Sequence, residues 1–233
     1  MLNTVRKIGP VLELFTPQRP VWRLTDIADA LQMPKSTAHS LLASLVEIGL
    51  LSTTEQSQYR LGWHIVTLAE RLQVSLDFRQ RAEPLMQELA VDLRETVFLS
   101  VLDRHQVLYV ARADGSHPTV RLAGAKVGTR LPAHCTAAGK VLLAEREERE
   151  IRDLISVVGL RQLTSKSIGS LESLNRGLAE VRRGGVAYDR GEAAPDVACI
   201  AAPIRDPFGS VIAAMSVSVP TYRFDGAEER AAA

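Results

Sequence analysis

Residues 24–49, LTDIADALQMPKSTAHSLLASLVEIG, hold two short helical patterns joined by the turn QMPK. Thr25 is placed as an N-cap of the first, with acidic residues in its first turn. The second starts at Pro34 and stops at Gly49, the usual asymmetry of helix ends. Along it Ala38, Leu41, Leu42, Leu45 and Val46 fall at helical spacing and form a core stripe. The opposite face carries Ser36, His39, Ser40, Ala43 and Ser44, with Lys35 and Thr37 at the start. For a lone amphipathic helix such a face is ordinary solvated surface. The short helix before it and the tight turn change that reading to a helix-turn-helix. Its small polar side chains then suit close approach to the DNA major groove. The next segment, LLSTTEQSQYRLG, reads as two strands around Glu55–Gln58. It is the expected wing, with Arg60 and Gln58 near the nucleic-acid backbone.

Upstream, NTVRKIGPVLELF places Ile8, Val11, Leu12 and Phe15 at helical spacing. Residues 1–61 hold Arg6, Lys7, Arg19, Arg23, Lys35 and Arg60 against Glu13, Asp26, Asp29, Glu47 and Glu55, one excess positive charge. That is low for a DNA-binding module, so pairing and clustering on one face must compensate. Downstream, WHIVTLAERLQV and RAEPLMQELAVDLRE are amphipathic helices, the first a connector, with Pro84 at a start or kink in the second. The rhythm then changes. TVFLSVLD and QVLYVARAD read as a hairpin, and TVRLAG as a further strand. Helices are expected near 136–145, 147–157 and 170–184, followed by the strands GVAYDR, DVACIAAPIRD and VIAAMSVSVP, the last two joined through PFGS. The class is α+β. The expected division is a winged helix-turn-helix over 1–61, a linker helix over 62–76 and a second domain over 77–233.

The 233 residues are 46% hydrophobic and 24% charged with a net charge of +1, an ordinary globular composition. No apolar run approaches a membrane-spanning length. The start MLNTVRKIGPVLELF is interrupted by Pro10 and Glu13 and does not read as a secretory signal. Two cysteines, Cys135 and Cys199, make no disulfide framework and fit a reducing, cytoplasmic setting. No metal or cofactor is expected.

The stretch LPAHCTAAGKVLLA, residues 131–144, resembles chemistry. It is no phosphate loop, because Gly139-Lys140 lacks the upstream glycine and the following Ser or Thr. A catalytic Cys135 needs a base that meets it in space, and His134 beside it on a loop diverges. The bland alternative is a buried structural thiol. The third reading is a helix N-terminus with small residues in its first turn, where free N–H groups attract an anion. A helix start packed closely on a strand explains the same residues equally well.

Three segments together resemble the isocitrate-lyase-regulator (IclR) family: LTDIADALQMPKSTAHSLLASLVEIGLL, VGTRLPAHCTAAGKVLLA, and RRGGVAYDRGEAAPDVACIAAPIRDPFGSVIAAMSVSVP. The likeness runs in order from about residue 3 to 220. It implies a bacterial transcription regulator with a winged helix, a linker helix and a GAF-like domain that binds small organic acids, acting as a homodimer or dimer of dimers. Carried over, the effector pocket uses the backbone at Ala137 and Ala138 with Asp189, Cys199, Ser216 and Ser218. Independently, Ser216 and Ser218 lie two apart on a strand and share a face, where two hydroxyls need partners. Leu122 and Leu131 are expected to give apolar contact to a larger acid.

Two departures stand out: Ala133 replaces a larger apolar residue, which is expected to widen the pocket, and the tail DGAEERAAA is short for a closing helix. The expectation is a non-enzymatic repressor of operator DNA, read by Lys35, Ser36, Thr37, His39, Ser40 and Arg60 and controlled by a small, organic or aromatic, carboxylic acid. The rival is a thiol redox enzyme using Cys135 or Cys199, which requires an acidic, exposed thiol.

Overall fold

The computed structural model describes residues 3–75, 77–116 and 125–224. The expected strand TVRLAG, Leu122 and the C-terminal tail lie outside the described residues. The chain divides into two compact units, Met1–Leu76 and Asp77–Ala233.

In the first unit, α1 (Asn3–Glu13), α2 (Leu24–Ala30) and α3 (Lys35–Glu47) are followed by β1 (Leu51–Thr53), β2 (Tyr59–Leu61) and α4 (His64–Ser75). Val11, Ile27, Ala38, Leu41, Leu42, Leu45 and Leu51 form its core, so the stripe read along α3 is the packed one except at Val46, which lies at its margin. Thr25 is not the N-cap. The extended residue before α2 is Arg23 (φ −85°, ψ 154°), with no side-chain cap. Leu24 packs against the core and begins the helix two residues early, leaving the Thr25 hydroxyl to bond Asp26 at 3.2 Å. The wing is antiparallel, with Ser52 opposite Arg60. Trp22 adds an isolated bridge on the other edge of β2, exchanging backbone bonds of 2.9 and 2.7 Å with Tyr59. The wing closes at Gly62, where a Cβ would stand 2.1 Å from the Gly49 carbonyl oxygen. No side chain fits there.

The second unit starts with α5 (Asp77–Leu93), which contains Pro84. Then come β3 (Thr96–Asp103), β4 (Gln106–Asp114), β5 (Arg130–Pro132), a 3-10 turn at Ala133–Cys135 and α6 (Ala137–Ala144). After α7 (Glu148–Val158) and α8 (Leu171–Gly184) the chain ends in β6 (Ala187–Arg190), β7 (Val197–Arg205) and β8 (Val211–Pro220). The expected α+β class is the observed one. Six strands form one antiparallel sheet in the order β5-β4-β3-β8-β7-β6. Period-two alternation gives it two apolar faces. One face buries Phe98, Tyr109, Cys199, Ala201 and Ala214 against α6, α7 and α8. The other buries Val97, Leu99, Ile200, Val217 and Val219 against Ala82, Met86 and Ala90 of α5. Among the described residues no helix is long and apolar enough to cross a membrane.

Candidate DNA face and effector cavity

On α3, Lys35, Ser36, His39 and Ser40 are exposed and Thr37 is half-buried, so all five sit away from the core stripe. Ser40 donates its hydroxyl to the Ser36 carbonyl at 3.1 Å, and Ser44 donates to Ser40 at 3.0 Å. Those hydroxyl protons are engaged along the helix, which leaves their oxygens as acceptors. Arg60 is exposed on β2, and its Nε donates to Ser52 Oγ at 3.1 Å, which holds the stem while its other nitrogens stay outward. Arg19 is spent elsewhere: it pairs with Asp26 at 2.6 Å and stacks on Trp22.

In the second unit the sheet register sets a row of polar residues on the α6 face. Asp189 lies opposite Cys199, Cys199 opposite Ser218, and Ser218 opposite Thr96. The next row sets Ala201 and Phe98 on either side of Ser216. Above these rows stands the start of α6. Thr136 is its N-cap: extended, with its hydroxyl accepting from Gly139 N at 3.0 Å. The N–H groups of Ala137 and Ala138, in the first turn, have no carbonyl of their own helix to meet. Gly139 is required for contact with the preceding turn, since a Cβ there would lie 2.1 Å from the Ala133 carbonyl oxygen.

Tyr109, Leu131, Thr136, Ala137, Ala138, Asp189, Ala193, Val197, Cys199 and Ser216 enclose a cavity of 10 Å³. That is about the space of one water-sized sphere. Ser216 is 4% exposed and its side chain lines the cavity. Ser218 is not part of the wall; its hydroxyl meets Cys199 Sγ at 3.1 Å. Ala133 is buried in the 3-10 turn and does not line the cavity. Tyr109, Thr136, Ala193 and Val197 were not singled out from the sequence. Tyr109 is 5% exposed, stacked on Phe98 at 4.5 Å, and burial raises its pKa, so the phenol stays protonated.

Asp189 is 1% exposed. Its Oδ1 accepts from Glu192 N at 2.6 Å and from Ala193 N at 3.4 Å. Burial outweighs these bonds and pushes the carboxyl up to about 7. The loop beyond β6 is fastened at Glu192. Its carboxylate meets Lys140 of α6 at 2.5 Å, and its carbonyl accepts from Ser167 Oγ at 2.6 Å. His134 turns away from Cys135 to Arg161 O at 3.0 Å, and burial lowers its pKa. Burial pushes the Cys135 thiol up to about 12 and raises Cys199 as well, with both side chains buried. A reactive thiol needs the opposite environment. The redox-enzyme reading has no acidic thiol to work with.

Residues 4–55 match the IclR helix-turn-helix domain, and residues 71–233 match the family described as bacterial transcriptional regulator IclR C-terminal. The HTH-type transcriptional regulator XynR of Escherichia coli is 34% identical over 229 residues, covering 98% of this chain and 90% of that one. The transcriptional repressor IclR of Escherichia coli is 30% identical, covering 86% of this chain and 73% of that one. An IclR homolog from Microbacterium hydrocarbonoxydans complexed with 4-hydroxybenzoate is similar in structure, with a TM-score of 0.82 and 31% identity over 94% of this chain and 90% of that one. The relatives are regulators by name, not enzymes. With the helix-turn-helix at its front and the family's second domain over the remainder, the chain belongs to the IclR family of bacterial transcriptional regulators.

Proposed function

We propose that this regulator is a repressor whose operator affinity is set by a small carboxylic acid held at the start of α6. Residues 1–61 bind the operator, 62–76 link, and 77–233 sense the acid. Lys35, Ser36, Thr37, His39 and Ser40 meet the major groove and Arg60 meets phosphate. The observation that carries the acid site is the convergence of donors on one enclosed space: the Ala137 and Ala138 N–H groups, the Tyr109 phenol and the buried Ser216 hydroxyl. A carboxylate gains about 1.5–3 kcal/mol from each charge-assisted bond. Leu131 and Val197 supply apolar wall to an aromatic or alkyl body. The 4-hydroxybenzoate bound to the relative supports an acid as ligand, and the repressor among the relatives supports the sense of control.

A cavity of 10 Å³ is too small for such an acid, so binding must widen it. The acid therefore favours a wider arrangement, and that preference is what a signal requires. Calorimetry with 4-hydroxybenzoate and its neutral amide tests the site, on wild type and on Ala137→Pro. Thr136 is extended (φ −122°, ψ 146°) and Ala137 is the first helical residue, so the backbone accepts a proline, which removes the N–H donor. The acid is expected to bind wild type, and the variant about tenfold or more weaker. Equal affinity in both proteins, or for acid and amide, overturns the reading.

A further inference from the structure

The cavity that offers four hydrogen-bond donors to an anion also contains a carboxyl group of its own. Asp189 lines the same wall as Ala137, Ala138, Tyr109 and Ser216. Its Oδ1 is committed to the backbone of Glu192 and Ala193. Among the described residues no lysine or arginine lines the cavity beside it. From α6, Lys140 faces the pair, but its ammonium is held by Glu192 Oε1 at 2.5 Å. From the loop comes Glu192 itself, a like charge whose Oε2 is buried without a hydrogen-bond partner. Lys166 runs beside Gly191 at the loop's start. From β7 the facing group is the Cys199 thiol, from β4 the Tyr109 phenol, and from the 3-10 turn the Cys135 thiol, all protonated at neutral pH. Two ionised carboxylates in so small and enclosed a space repel strongly, and one of them takes a proton.

We propose that an acid effector and Asp189 share a single proton, so that binding the acid takes a proton from solution whenever Asp189 is ionised in the free protein. The inference rests on the acid site proposed above. The proton sits between the two carboxyl groups as an O–H···O bond, while the donors of α6, Tyr109 and Ser216 receive the remaining negative charge. Asp189 thereby becomes a selector. Below neutrality it is already protonated and accepts acids freely, whereas above neutrality each acid bound must bring a proton with it. Since burial places the Asp189 carboxyl at about 7 in the free protein, that uptake falls within the range a cell experiences.

Calorimetry with benzoate and with 4-hydroxybenzoate, in buffers of different ionisation enthalpy at about pH 6 and about pH 8, measures the proton count directly. Benzoate matters because it has no hydroxyl to donate to an ionised Asp189. Near pH 8 uptake should approach one proton per acid, and affinity should fall toward tenfold per pH unit above about 7. Asp189→Asn should bind with a flat pH profile and no uptake. Carbon-13 titration of the wild-type Asp189 carboxyl gives a second readout that needs no variant, and its pKa should rise when benzoate is bound. Binding of both acids with no uptake, or uptake that persists in Asp189→Asn, overturns this inference and leaves the acid site standing. Failure of both acids to bind at either pH overturns the acid site, and the shared proton with it.

Discussion

Asp189 carries a cost even in the free protein, and its sign follows from linkage. Its carboxyl is raised to about 7, from an ordinary value of about 3.9 in the unfolded chain. Between those values the folded state holds a proton that the unfolded state has released. Stability from this group is therefore present at low pH and is lost as pH rises through about 7, by roughly 1.4 kcal/mol per pH unit in between. Asp189→Asn keeps an acceptor for the Glu192 and Ala193 N–H groups and removes the charge. Urea unfolding should find the variant gaining on wild type as pH rises from about 4 to about 7, with a plateau above. A difference that stays constant with pH would mean that Asp189 is not the buried, raised group. Single residues were unevenly legible in the sequence. Ser216 and Ser218 were placed on one face by period two, and the sheet has them there. Tyr109 was missed for a physical reason. Burial alternates without a break along β4, but Leu99 pairs with Ala111 and Ser100 with Tyr109, so Val110 is the extra residue of a bulge in β4 and the buried residues before and after it face opposite sides. No local pattern reports that switch.

At the scale of elements, the helix-turn-helix was readable because both signals in α3 are local: an apolar stripe at helical spacing, and a stop at Gly49, whose φ is +75°. The Gly-Lys pair in α6 was not explained by its spacing. Gly139 is there because the 3-10 turn passes against the helix, a contact that only the fold reveals. The wing and α3 make separate contributions to DNA binding, and these are separable by salt. Replacing Arg60 by Ala should weaken binding to all sequences alike and lower the salt slope by about 1, because one phosphate contact is lost. His39→Ala should instead relax sequence preference at one position, at a cost of about 1–3 kcal/mol against the preferred base. Ser40→Ala should do less, since its hydroxyl proton is already donated to Ser36. Operator titrations at several salt concentrations, with wild-type and scrambled sites, measure all three. If Ser36, His39 and Ser40 can become alanine together without loss of operator preference, α3 is not the reading helix.

For the whole molecule, the two compact units divide between Leu76 and Asp77, ahead of the second amphipathic helix, whereas assembly is available only as an implication of the family resemblance. A physical argument now favours pairing. One recognition helix makes too few contacts for a specific site, and a net charge of +1 adds little non-specific attraction. Trp63, just before α4, is 79% exposed, and Val66, three residues on and on the same face, is 59% exposed. Large apolar side chains grouped this way on a surface mark an interaction site. The first unit is therefore expected to pair with a second copy through this helix, presenting two recognition helices to two half-sites, with dimers of dimers as the higher form. Sedimentation should find no monomer at working concentration and two protomers for each pair of half-sites. Trp63→Glu places a charge in the centre of the proposed contact and touches none of the groove-facing residues. It should yield a folded monomer with much weaker operator binding, and a steeper dependence of binding on protein concentration. Wild type that sediments as a monomer and binds one protomer per operator would refute the pairing. A Trp63→Glu dimer with intact operator affinity would move the interface off this helix.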